Sequence, residues 1–287
     1  MSTQSLFVQT IVYLFSAISA TLLHLFILLG PGLIMAFAMH HLSRQIAHRL
    51  IALIGYEPYL YLFSYVGTFF HELGHAVFCL IFGYRIVEFK FYEPDNYSPY
   101  RGHVLYLYNP KSFYHLIGQF FTGIGPIFVG TAVIALASYL LIGPVVINPI
   151  TQMGINLDNL NSGSEITAFV QLAISNMGAL FKLLLSRRAL LSWQLYTLLY
   201  LIISVGSSIT LSLSDLEGVI QGLSIIILLL LAFNISTLWM GNFANRFFLQ
   251  ISQLYQLFYG MMLFVLIINT LVFLLLLLTV TIRHRLK

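Results

Sequence analysis

The sequence predicts an all-α polytopic membrane protein of about six transmembrane helices, with a small β-hairpin after the second. Three observations carry this expectation. Of the 287 residues, 59% are hydrophobic and only 8% are charged, where a soluble domain carries about 25% charged residues. Six apolar segments each approach or exceed the roughly 20 residues needed to cross about 30 Å of hydrocarbon. A single stretch, 84–110, instead mixes aromatic and β-branched residues around a turn-rich centre, the composition of paired strands.

The segments fall at Leu6–Ala38, Tyr59–Gly83, Phe113–Ile142, Ala189–Leu213, Gly218–Met240 and Leu257–Thr281. Gly30-Pro31-Gly32 implies a kink or an early end in the first. The polar connection 39–58, with Arg44, Arg49 and three histidines, reads as a short interfacial helix. Residues 143–188 open with Pro144, Asn148 and Pro149 and become an amphipathic helix ending at Lys182, Arg187 and Arg188. We read 1–287 as a single membrane domain with a core at about 59–240, flanked by helices 6–38 and 257–281. No repeat or low-complexity stretch is visible.

Net charge is only +4 and the basic residues are scattered. They read as topology markers of a multi-pass protein of the cell membrane, not as a nucleic-acid surface. Arg44 and Arg49 place the first connection in the cytoplasm. Alternation over six spans then strands the basic tail from Arg283 on the opposite side, against the same rule. The lone Cys79 excludes an internal disulfide framework. With Arg44 the first charged residue, no basic leader precedes the first apolar run, and no cleavable signal is expected.

Within the second segment stands His71-Glu72-Leu73-Gly74-His75. Ionisable side chains are costly in hydrocarbon and mark cavities, pairs or functional paths. On a helix, residues four apart share a face, so His71 and His75 can present imidazole nitrogens to one Zn²⁺. Glu72 then lies where a general base must reach the water that zinc activates. Gly74 leaves room for another backbone to approach. The alternative is a pair of hydrogen-bonded core histidines beside a buried glutamate.

A hydrolytic zinc site needs a third protein ligand and an open fourth position. Acidic residues are few. Asp95 sits in the hairpin turn, and Asp158 and Glu165 sit in a polar linker. Asp215 follows five serines within Ser204–Ser214, a composition that favours a broken membrane helix lining a cavity. It is the expected ligand, with Glu217 in reserve; the competing role is a helix cap at the membrane surface. Cys79 shares the face of His75, but a fourth ligand would close the site, so packing is expected. His24 and His115 read as interhelical contacts, and Gly123, Gly125 and Gly130 as helix-packing positions. Asn148 is a weak candidate for an oxyanion donor.

These motifs resemble the site-2 protease family of intramembrane zinc metalloproteases. The resemblance rests on HELGHA at 71–76, on Thr122-Gly123-Ile124-Gly125-Pro126 as that family's Gly-Pro segment, and on an aspartate followed by glycine, here Asp215-Leu216-Glu217-Gly218. The family's third-ligand motif usually reads Asp-Gly within an Asn-Pro-containing stretch, and this chain departs from it. The resemblance implies one Zn²⁺ per chain on His71, His75 and Asp215, catalysis by Glu72, and a peptide bond in a partner's transmembrane segment as substrate. Under it, the edge of the hairpin could hold an unwound substrate by main-chain pairing, where otherwise its tyrosines form an aromatic belt. Two rivals remain: a membrane metalloprotease whose third ligand is a glutamate, and a non-catalytic helix-bundle binder.

Overall fold

The computed structural model describes residues 3–92, 102–152, 163–241, 243–254 and 256–285. The described chain is helical apart from one antiparallel strand pair. Helix α1 (Thr3–Ile54) leads through a turn, α2 (Tyr56–Tyr59), and a π-helical turn (Leu60–Ser64) into α3 (Tyr65–Ile81). Strands β1 (Arg85–Lys90) and β2 (His103–Leu107) follow, then α4 (Phe113–Ile142), α5 (Ile147–Gln152), α6 (Gly163–Leu184), α7 (Arg187–Leu190), α8 (Trp193–Gly206), α9 (Leu213–Thr237), α10 (Phe243–Leu254) and α11 (Gln256–Arg285).

Among the described residues, four helices are long and apolar enough to cross a membrane, against the six expected: they lie in α1, α4, α9 and α11. Two expected segments account for the difference. The segment carrying the histidines has 17 α-helical residues, because the π-helical turn interrupts the regular winding ahead of it. The segment beginning at Ala189 yields only the 14-residue α8, about 21 Å long at 1.5 Å per residue. Its serine-rich end leaves the helix and runs extended into α9. Contacts along α4 show that α8, this link and α9 are one interrupted path. As the chain advances from Gly206 through Ile209 and Val219 to Gly222, its α4 neighbours step back from Ile134 through Gly130 and Gly123 to Phe120.

The first segment also differs from expectation. Proline inside a helix costs about 3 kcal/mol, yet α1 neither ends at Pro31 nor gives way to a separate interfacial helix, and it stays helical to Ile54. Neighbouring α11 supports the weakened turn: the Tyr259 hydroxyl donates to the carbonyl of Leu28. A Cβ on Gly32 would lie 3.0 Å from the Tyr259 ring, so the glycine makes room for that side chain. Further along, the Arg49 guanidinium sits 4.4 Å over the Phe273 ring and Arg283 donates to the carbonyl of Leu53 at 3.4 Å. Helices α1 and α11 therefore run parallel. The tail begins beside the basic end of α1, so Arg49 and Arg283 lie at the same end of the bundle, as the positive-inside rule asks.

The strands pair as expected, Arg85 with Leu107 through Lys90 with His103, with a bulge between Ile86 and Glu88. The turn that holds Asp95 lies outside the described residues, as does Asp158; the side chain of Glu165 does too. Tyr84 anchors the root of the hairpin. Its hydroxyl donates to the carbonyl of His115 and accepts from Gln119 Nε2 at 3.1 Å, while burial pushes its pKa up to about 12. Cys79 packs with Phe82 and Tyr84 in the apolar cluster beneath it.

Helices α3 and α4 meet backbone to backbone. A Cβ on Gly74 would lie 2.5 Å from Pro126 N, and one on Gly125 would lie 2.5 Å from the carbonyl oxygen of Gly74. The colliding atoms are main chain and cannot swing aside. Gly74→Ala is expected to lower stability by about 1–3 kcal/mol, measured as a drop in the thermal midpoint in detergent. An unchanged midpoint would show that the helices can separate without loss.

Candidate metal centre

Three elements converge at the interruption between α8 and α9. Helix α3 carries His71 and His75 one turn apart. Helix α4 passes alongside at Thr122–Pro126. The extended link supplies Ser207–Ser212 and then Asp215 in the first turn of α9.

Each imidazole is oriented by a backbone carbonyl. His71 Nδ1–H donates to the carbonyl of Ser208 at 2.9 Å, and His75 Nδ1–H donates to that of Thr122 at 2.8 Å. A carbonyl can only accept, so each Nδ1 holds its proton and a neutral ring keeps a lone pair on Nε2. The two Nε2 atoms lie 3.3 Å apart. Asp215 Oδ1 is 3.1 Å from His75 Nε2, and Oδ2 is 3.7 Å from His71 Nε2.

These ligand atoms all lie within 4.8 Å of one another. Three electron-pair donors facing one point repel unless a cation stands between them. Tetrahedral zinc with bonds of about 2.0–2.1 Å separates its ligand atoms by about 3.3 Å, close to the spacing of the two imidazole nitrogens. The donor set therefore fits zinc, with two nitrogens and one carboxylate oxygen leaving a position for water or substrate.

Asp215 also acts as the helix cap once weighed against the ligand role. The Ser212 hydroxyl accepts from Asp215 N at 3.1 Å while Asp215 Oδ2 accepts from Ser212 N at 2.7 Å, a reciprocal capping box. Oδ2 is held by the Ser212 amide and also faces His71, while Oδ1 faces His75, so cap and cluster are compatible. Gly123 permits this approach: a Cβ there would lie 2.8 Å from the carbonyl oxygen of Asp215.

Glu72 is 7% exposed and shares with His71, His75 and Asp215 a cavity of about 590 Å³. Ser204, Ser207, Ser208, Thr210 and Ser212 give the cavity a polar wall, and His103–Tyr106 of β2 border it elsewhere. Glu217 is exposed and adds no atom to the cluster. Asn148, exposed on α5, does not line the cavity. His24 stacks on Phe248 with ring centroids 4.1 Å apart, and His115 Nδ1 accepts from Asn109 N at 2.8 Å; neither joins the site. Sequence reasoning missed the orienting carbonyls of Ser208 and Thr122, because main-chain acceptors leave no compositional trace. It also missed Gly102 and His103, which no motif marks.

A helical bundle here gathers two histidines, an aspartate and a buried glutamate around one cavity, and the first three could hold a metal ion. Residues 45–147, about a third of the chain, match the family model described as Peptidase M50B-like. The matched stretch contains His71, Glu72, His75, the hairpin and the Gly125-Pro126 contact, but ends before Asp215. No curated protein and no solved structure matches the chain.

If the three side chains form one site, purified protein carries about one zinc per chain, and His71→Ala, His75→Ala and Asp215→Ala each lose it. Metal analysis after desalting checks this. Retention in Asp215→Ala would remove that carboxylate from the site.

Proposed function

We propose that the chain is a zinc-dependent intramembrane endopeptidase that hydrolyses a peptide bond in or near the transmembrane segment of a membrane-protein substrate. The observation that carries this reading is the position of Glu72, buried in the same cavity as the three converging ligand atoms. His71, His75 and Asp215 would hold the zinc ion, which when bound supplies Lewis acidity and activates water near neutral pH. Glu72 takes the proton of the attacking water and returns it to the leaving amine. Ser208 and Thr122 keep both imidazoles in the ligating tautomer through their carbonyls.

The serine wall supports a route for water to this depth. The unpaired side of β2 supports a grip on substrate. Within the described sheet β2 pairs only with β1, and residues 103–106 border the cavity. A substrate helix hides its peptide bonds; once unwound, it can add to that edge by main-chain hydrogen bonds without demanding a particular sequence. The carboxylate that joins the imidazoles comes from Asp215, not from a glutamate, which argues against the rival metalloprotease class. The intact Glu72 argues against a non-catalytic binder.

Glu72→Gln is expected to reduce kcat by about 10²–10⁴-fold while zinc content and KM stay near wild type. Turnover on a single-span substrate in detergent, with metal analysis in parallel, checks it; activity within a few-fold of wild type would refute the general-base role. In a background lacking Cys79, a cysteine at Ser207 is expected to react with a membrane-impermeant maleimide. No reaction, with a surface cysteine labelled as control, would exclude an aqueous route along the serine wall.

A further inference from the structure

The turn end of the hairpin is seated on the catalytic glutamate. A Cβ on Gly102 would lie 2.8 Å from Glu72 Cγ, 2.9 Å from Thr68 Cγ2 and 2.9 Å from the carbonyl oxygen of Phe91. The next residue, His103, borders the cavity that holds Glu72 and the three ligand atoms. Its Nε2 faces Glu88 Oε2 of the paired strand at 3.6 Å, and Glu88 also pairs with Lys90 Nζ at 3.4 Å. The register explains this proximity. His103 pairs with Lys90 and Leu105 with Glu88, so the imidazole and the carboxylate are diagonal neighbours on one face of the sheet.

We propose that His103, braced by Glu88, is a further catalytic residue that stabilises the oxyanion of the peptide hydrolysed at this site. The inference rests on the peptidase reading above. It adds a hydrogen-bond donor from β2, which borders the same cavity as the metal ligands. In its imidazolium form the ring donates to Glu88 with one nitrogen and offers the other N–H to the substrate carbonyl oxygen. Water then adds to the carbonyl carbon with its proton passing to Glu72, and the C=O π pair moves onto the oxygen facing His103. Collapse restores the carbonyl, breaks the C–N bond and sends the proton from Glu72 to the departing nitrogen. His103 ends as it began. The edge of β2 that would hold the substrate is also the strand that delivers this ring, so the scissile carbonyl and its oxyanion partner are placed by one element.

The test compares His103→Phe, which keeps a ring but no donor, with His103→Gln, which keeps an N–H, and with Glu88→Gln. Zinc content is expected to stay at the wild-type level in all three. His103→Phe should lower kcat about 10²-fold, the scale of losing one oxyanion donor, with KM within about threefold. His103→Gln should retain more of the rate, and Glu88→Gln should lose less than His103→Phe. A second readout is binding of a peptidyl phosphinate, whose tetrahedral anion mimics the oxyanion: His103→Phe should weaken it by the same factor as kcat. Wild-type rate and phosphinate affinity in His103→Phe would overturn the proposal, and so would loss of zinc, which would make the residue structural. A wild-type protein that holds zinc but neither cleaves peptides nor binds phosphinate would refute the peptidase reading itself, a result distinct from either.

Discussion

Everything in the structure turns on bringing one carboxylate to two imidazoles in a place with little water. Asp215 must lie within about 3 Å of His75 and close to His71, and the three belong to helices that would otherwise be kept apart by their own side chains. Two devices achieve the approach. Glycine faces main chain at Gly74 and Gly125, where α3 meets α4, and at Gly123, where α4 meets the start of α9. The chain also abandons helical winding between Gly206 and Leu213, so that Asp215 arrives on a helix terminus instead of a helix flank. A terminus has uncommitted N–H groups, and the Ser212 amide binds the carboxylate oxygen that faces His71 while the other oxygen faces His75.

The interruption has a second consequence. Its carbonyls are released from the helical ladder, and that of Ser208 accepts the Nδ1–H of His71. The segment that positions the acidic ligand thereby orients one of the basic ones. Non-helical backbone is tolerated at such depth where it is buried in protein or lines a cavity, and here it forms the polar wall of one. The hairpin covers another side, with Gly102 packed on Glu72. The orientation of His71 and the polar wall of the cavity both come from this one break in a helix.

Much of this was legible in the sequence, and the physical reasons are specific. His71 and His75 stood out because residues four apart share a helix face, and Glu72 with them because hydrocarbon excludes such residues without cause. Asp215 was legible through its setting, since five serines before an aspartate do not build a continuous membrane helix. The hairpin was legible through aromatic and β-branched composition. Span counting failed because hydropathy measures apolar length and cannot see winding. The run from Ala189 holds a 14-residue helix and a non-helical link, and α1 continues past Pro31 with Tyr259 from α11 donating to the Leu28 carbonyl one turn before it. Such support is tertiary, and no local rule encodes it. Gly102 and His103 were invisible for the same reason, as their significance comes only from what the fold lays beneath them.

The most direct test of the central claim is X-ray absorption at the zinc edge of the purified protein. Two imidazole nitrogens and oxygen ligands in a four-coordinate shell at about 2.0–2.2 Å are predicted for wild type, with one oxygen altered in Asp215→Asn. A sulfur scatterer at about 2.3 Å, or a shell holding a single imidazole, would contradict the assignment of His71, His75 and Asp215 as one metal centre.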